Sequence, residues 1–144
     1  MSFALDCSVT MTWFFDHEAS SQTDSLLESL AGEDQAVVPQ HWLLEVANVL
    51  LAAEASHKKL PAESMEYLTL LGRLAIATDA ETGHYVATST IALGRKHRLS
   101  SYDAAYLELA LRRGLALATL DRNLRKAAAA EGVPLLPPEP LPAA

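Results

Sequence analysis

Short apolar runs alternate along the chain with longer segments of helical periodicity. Phe3-Ala4-Leu5 predicts a brief strand ending at Asp6, and the apolar, aromatic stretch Val9 to Phe15 predicts a helical turn packed under a sheet. Ser20 or Ser21 is placed to cap a helix through Leu26, Leu27 and Leu30 that stops at Gly32. Ala36-Val37-Val38 predicts a second strand, halted by Pro39. The helix from about His41 to His57 is the most hydrophobic of the chain. Trp42, Leu43, Leu44, Val46, Ala47, Val49, Leu50 and Leu51 leave it almost no polar face, so burial all round is expected. Pro61 suits the first turn of another helix, with Met65, Leu68, Leu71 and Leu74 at helical spacing. Ala75 to Thr78 predicts a third strand, and residues 82–97 a weaker helix ending in Arg95, Lys96, His97 and Arg98.

Residues 99–121 organise the rest. Ser100 or Ser101 offers an N-cap, Tyr102, Ala105, Tyr106, Leu109 and Ala110 mark the apolar side, and Arg112 and Arg113 load the C-terminus before Gly114. Leu115 to Leu120 is then an uncharged run, as expected of a strand buried on both faces. Asp121 to Glu131 predicts an alanine-rich helix stopped by Gly132, and Val133 to Leu136 a last edge strand despite Pro134. Strands alternating with helices indicate an α/β fold, a mainly parallel sheet between helix layers. There is no internal repeat, Gly-rich phosphate loop or coiled-coil heptad.

With 144 residues, half of them hydrophobic, the chain is expected to form one domain, at 1–136. A proline-rich tail follows at 137–144, the end of the chain from Pro134 onward holding five of the seven prolines. No run reaches the ~20 apolar residues that span a bilayer, and the N-terminus lacks a basic signal-like region. The single cysteine, Cys7, forms no internal disulfide, which makes the cytoplasm the expected compartment. A net charge of -7 argues against general electrostatic binding to nucleic acid, but not against a nucleic-acid enzyme, because metals would restore positive charge locally.

Candidate chemistry lies in the acids. Asp6 and Asp121 close two predicted strands, Asp103 opens a helix, and Glu45 is the only charged residue between Trp42 and Ala53. Each has a bland reading: Asp6 and Asp121 as helix caps, Asp103 as part of a capping box with Ser100. Glu45 has the weakest one, since burying a lone carboxylate is costly. If the strands ending at Asp6 and Leu120 are neighbours, their acids emerge together at the carboxyl edge of the sheet, where ligands collect. Four carboxylates held together would raise one another's pKa, and Mg²⁺ or Mn²⁺ would relieve the repulsion. Such a site suits in-line phosphodiester displacement. There is no Gly-x-Ser-x-Gly, His-Glu-x-x-His or Cys pair, and the histidines (His17, His41, His57, His84, His97) lack ligand spacing. Cys7 reads as small packing.

Leu-Asp-Cys-Ser-Val at 5–9, Glu-Val-Ala-Asn at 45–48, Ser-Ser-Tyr-Asp-Ala-Ala-Tyr at 100–106 and Ala-Thr-Leu-Asp-Arg-Asn-Leu at 118–124 appear in an order and spacing that resemble the PIN-domain ribonucleases. The likeness is specifically to toxins of VapBC-type toxin–antitoxin pairs, and it covers about residues 3–136. It implies an α/β/α sandwich and a homodimer. It also implies that Asp6, Glu45, Asp103 and Asp121 form an acidic metal-binding quartet, with Ser8, Asn48 and Thr119 in support. The activity it implies is Mg²⁺- or Mn²⁺-dependent hydrolysis of RNA by metal-activated water, restrained by a VapB-like antitoxin. The antitoxin would seat near Trp13 to Phe15 and the helices around 42–74. Arg95, Lys96, Arg98, Arg112, Arg122 and Arg125 are candidates for phosphate contacts.

The main alternative is a catalytically silent PIN-like module that binds RNA or protein. A phosphoacceptor signalling domain would need a lysine near the acids and leaves Glu45 unexplained. A DNA-cleaving nuclease would share the metal chemistry.

Overall fold

The computed structural model describes residues 1–138; residues 139–144, the end of the expected proline-rich tail, lie outside the described residues. Five strands, β1 (Ser2–Leu5), β2 (Gln35–Val38), β3 (Ile76–Thr78), β4 (Ala116–Ala118) and β5 (Leu135–Leu136), form one sheet of order β3-β2-β1-β4-β5 in which every pairing is parallel. The helices are α1 (Cys7–Thr12), α2 (Ser21–Ala31), α3 (Trp42–Ala55), α4 (Pro61–Arg73), α5 (Ile91–His97), α6 (Ser101–Arg113) and α7 (Arg122–Ala130). The chain steps outward from β1 through β2 to β3, then crosses back to β4 and on to β5. Right-handed crossovers therefore place α1–α4 on one face and α5–α7 on the other, an α/β/α sandwich. The direction reverses between β1 and β4, where an open parallel sheet leaves a crevice at its carboxyl edge.

The central strands lie in the core, while the edge strands β3 and β5 are only partly buried. Phe3, Ala4 and Leu5 of β1 and Leu117 and Ala118 of β4 have no solvent exposure, as expected of strands covered on both faces. The caps follow the residue signals. Ser20 closes a reciprocal box with Thr23 on α2, Pro61 opens α4, Ser100 accepts from the Asp103 N–H on α6, and Gly114 ends α6 at φ 64°.

Two expectations are corrected. The segment after β3 is not one weak helix: a 3₁₀ turn (Thr82–Tyr85) and a π turn (Val86–Thr90) lead into α5. And α3 is not buried all round. Trp42, Val46, Leu50 and Ala53 form its core stripe at spacings of four, four and three, whereas Leu43, Leu44 and Leu51 are 53%, 75% and 63% exposed. A hydrophobic stripe one residue wide suffices to dock a helix on a sheet, so the remaining leucines face outward. Leu60 and Met65 of the α3–α4 corner and α4 are exposed as well. Among the described residues, no helix is long and apolar enough to cross a membrane.

Candidate active site

Asp6 directly follows β1, and its backbone N–H bonds to the Ala118 carbonyl of β4 at 2.9 Å, which fixes it at the switch point. It precedes α1 in extended conformation, yet its carboxyl makes no capping bond. The bland reading of Asp6 as a helix cap therefore fails. Instead Oδ2 accepts from the Ser8 and Thr119 hydroxyls, each at 2.7 Å, and Oδ1 has no donor among the described residues. The residue is 5% exposed. Burial pushes its carboxyl above the usual range; the two hydroxyls oppose this, and the charges of Glu45 and Asp121 add to it.

Thr119 lies one residue beyond β4 and ties two acids together, because its Oγ1 also accepts from the Asp121 N–H at 3.1 Å. Ser8 extends the frame by accepting from the Leu120 N–H at 2.9 Å. Buried Arg125 donates to the Thr119 carbonyl and to that of Pro137, each at 2.9 Å, so it is a brace of this loop rather than a phosphate ligand. Asp121 does cap α7, its Oδ1 accepting from the Leu124 N–H at 2.9 Å. That role uses one oxygen and leaves the carboxylate at the crevice.

Asp103, in the first turn of α6, is half-buried. Its carboxyl is raised to about 6, chiefly by burial and then by the charges of Asp6, Asp121 and Glu45, against a lowering bond from Ser100. Glu45 reaches the site from the opposite helix layer. The Tyr106 hydroxyl donates to its Oε1 at 2.5 Å, and the His41 ring lies 3.5 Å from the same oxygen. This resolves the puzzle of a carboxylate in an apolar helix: Glu45 is only partly buried and has partners. Asn48, one turn on, is exposed and makes no bond among the described residues.

Asp6, Ser8, Glu45, Asp103 and Asp121 thus line one cavity of about 440 Å³, shared with Met11, Phe15, Glu18 and Val49. Among the described residues, however, no three acids, histidines or cysteines stand close enough to hold one ion between them. The acids share a cavity without forming a closed cage. The donor set, all hard oxygens in mutual repulsion, fits Mg²⁺ or Mn²⁺. Mg²⁺ is usually held by one or two carboxylates and several waters, so a preformed cage is not required. Cys7 is buried beside Asp6, and burial with the charges of Asp6 and Glu45 pushes its thiol up to about 12, leaving it unreactive packing.

The sequence reads Tyr106 as part of an apolar helix side and His41 as a histidine without ligand spacing, and it marks Glu18 in no way; the structure sets Tyr106 and His41 on Glu45 and Glu18 in the cavity. Helical spacing holds a signal for the first two, since Tyr106 is three residues after Asp103 and His41 four before Glu45. Two of the other cations proposed as phosphate contacts are also engaged. Arg112 binds Asp79 at 2.5 Å and Glu108 at 2.8 Å, and Lys96 binds Glu131 at 2.7 Å.

A parallel sheet whose switch point gathers carboxylates from four elements defines a class of acid-site α/β domains. The sequence matches the PIN domain over residues 3–130, and the chain belongs to that family. Among solved structures, a protein of Pyrobaculum aerophilum is similar at 21% identity and TM-score 0.63, covering 88% of this chain and 87% of that one. VapBC2 of Rickettsia felis, solved bound to a DNA fragment from its promoter, is similar at 15% identity and TM-score 0.66, covering 94% and 97%. A toxin–antitoxin complex from Klebsiella pneumoniae is similar at 18% identity and TM-score 0.60, covering 96% and 99%. A search of the curated proteins finds no match.

Proposed function

We propose that this chain is a VapC-like toxin, a Mg²⁺- or Mn²⁺-dependent endoribonuclease. The observation that carries the reading is the single cavity shared by Asp6, Glu45, Asp103 and Asp121, in which Asp6 and Asp103 are both held above the ordinary carboxylate range. Burial is the main cause of both shifts and neighbouring carboxylates add to it, and a divalent cation would stabilise the charged forms. Asp6 and Asp103 are the direct holders in this reading, and Asp121 assists directly or through water. Ser8 and Thr119 keep Asp6 in one rotamer by occupying Oδ2, leaving Oδ1 available. Tyr106 and His41 anchor Oε1 of Glu45, leaving Oε2 to bind or orient a water over the phosphodiester. When bound, the cation supplies positive charge to the phosphodiester and lowers the pKa of an attacking water.

The neighbours from Rickettsia felis and Klebsiella pneumoniae are toxin–antitoxin complexes, which supports a small antitoxin as partner here. The exposed Leu43, Leu44 and Leu51 of α3, with Leu60 and Met65 nearby in the chain, offer that partner an apolar seat. A homodimer, and a catalytic unit of residues 1–136 acting in the cytoplasm, complete the reading.

The test is cleavage of a mixed tRNA and rRNA pool by antitoxin-free protein with Mg²⁺, Mn²⁺ or EDTA, beside Asp6→Ala. Metal-dependent cuts at a few sites that vanish in the variant support the reading. Folded, metal-loaded protein that cuts nothing would overturn it in favour of a catalytically silent RNA- or protein-binding module.

A further inference from the structure

A second cavity of opposite character, about 400 Å³, is lined by Lys96, His97, Arg98, Asn123, Lys126 and two alanines. Each of its walls adjoins, in sequence, an element that carries one of the acids. One wall is α7, which Asp121 caps; Asn123, Lys126 and Ala130, at spacings of three and four, face the cavity together. Lys126 lies five residues after Asp121, ~7.5 Å along the axis. The other wall is the end of α5, where Arg98 stands two residues before the Ser100 cap of α6 and five before Asp103.

The cations are not equivalent. Lys96 and the His97 ring both contact Glu131, at 2.7 and 2.6 Å, which fixes the floor. Arg98 and Lys126 have no acidic partner among the described residues. Arg98 also occupies the left-handed region at φ 55°, the helix-ending position that glycine fills without strain. A turn that would be easier with glycine instead places a guanidinium on a cavity wall. On a chain of net charge -7, an RNA approaching a cavity of acids meets repulsion unless cations beside it take up its phosphates.

We propose that this basic cavity is a backbone subsite for single-stranded RNA, in which Arg98 and Lys126 each hold a phosphate and Asn123 donates to the same strand. It positions a segment next to the one lying over the acids. The inference rests on the ribonuclease reading for its substrate, but it is read by binding rather than by cleavage.

The experiment measures affinity of the full chain for a mixed-sequence, fluorescently labelled single-stranded RNA in EDTA, from 50 to 200 mM salt. Wild type is compared with Arg98→Gly/Lys126→Gln and with Arg113→Gln, an exposed cation at the far end of α6. Losing two phosphate contacts should flatten the slope of log affinity against log salt by about 1.4. Wild-type affinity should then fall about sevenfold more than the double variant's across that range. Arg113→Gln should keep the wild-type slope. Arg98→Gly relieves the left-handed strain, so its thermal midpoint should not fall, and lost binding cannot be assigned to misfolding. A double variant with the wild-type slope overturns the proposal. So does a variant that keeps RNA affinity and loses affinity only for the antitoxin, since the cavity would then serve an acidic peptide. Cleavage with an unchanged slope refutes the subsite alone; a flattened slope without cleavage refutes the nuclease alone.

Discussion

Replacing Asp103 with asparagine should make the metal-free protein more stable at neutral pH, although the substitution removes a charge from the candidate site. In the folded chain the carboxyl is raised from its ordinary 3.8 to about 6. Between those values the folded state binds more protons than the unfolded state, so stability falls as pH rises through that window and stays low above it. At 1.36 kcal/mol per pH unit the full effect would be about 3 kcal/mol. Asp103 is only half-buried, so solvent screening reduces this to about 1.5 kcal/mol. Losing an acid from the first turn of α6 returns a few tenths, which leaves about 1 kcal/mol. For a chain of 144 residues that corresponds to ~3–5 °C in thermal midpoint. Circular dichroism melts in EDTA from pH 4 to pH 8 would read it: no gain at pH 4, the full gain at pH 7.5. Excess Mg²⁺ should then raise the wild-type midpoint more than the variant's, because the cation binds only the folded acids. A variant less stable than wild type at pH 7.5 in EDTA would show that Asp103 serves the fold and would refute the electrostatic argument.

Asp6→Asn keeps an acceptor for Ser8 and Thr119 while removing a buried charge, so it too should raise the metal-free midpoint at pH 7 and abolish the Mg²⁺-induced gain; a lower midpoint in EDTA would contradict this. Arg112→Met strands Asp79 and Glu108, whose side chains are 5% and 4% exposed, and should cost about 3–5 kcal/mol in urea denaturation; a loss below ~1 kcal/mol would show that neither carboxylate depends on the arginine. On α3, Leu44→Gln should change stability by no more than ~0.5 kcal/mol, whereas Val46→Ala, two residues on and fully buried, should cost about 1–2 kcal/mol. Equal costs by denaturant titration would mean that α3 is buried on both sides after all.

The strands and most helix ends were legible because their signals are local. Apolar runs, Ser20 and Ser100 as caps, Pro61 at a first turn and Gly114 at a C-terminus act within a few residues. Two features were not local. The exposed leucines of α3 follow from how wide a stripe the sheet covers, and composition cannot separate a core helix from one whose other face awaits a partner. The π and 3₁₀ turns before α5 arise where the chain must cross back from β3 to β4. At the site, the acids stood out by type and position, but their partners did not. Tyr106 meets Glu45 across the two helix layers, 61 residues apart in sequence. The cations misled for a related reason: Arg112 and Arg125 look like surface charges in sequence, yet one neutralises buried acids and the other braces backbone carbonyls.

The four acids also differ in what the fold gains from them, and this separates a site from a coincidence of caps. Asp121 caps α7, Asp103 lies where the helix dipole favours an acid, and Glu45 is bound by a tyrosine hydroxyl. Any of the three would be unremarkable alone. Asp6 caps nothing and forms no ion pair among the described residues. It is buried at the end of a central strand, with two hydroxyls spent on one oxygen and other carboxylates nearby. A carboxylate kept under those conditions destabilises the isolated chain, and a serine or asparagine there would satisfy the same hydroxyls more cheaply. In the proposed reading, a positive charge arriving at the cavity removes the penalty. Asp6 is therefore the residue on which the proposed metal-dependent reading turns.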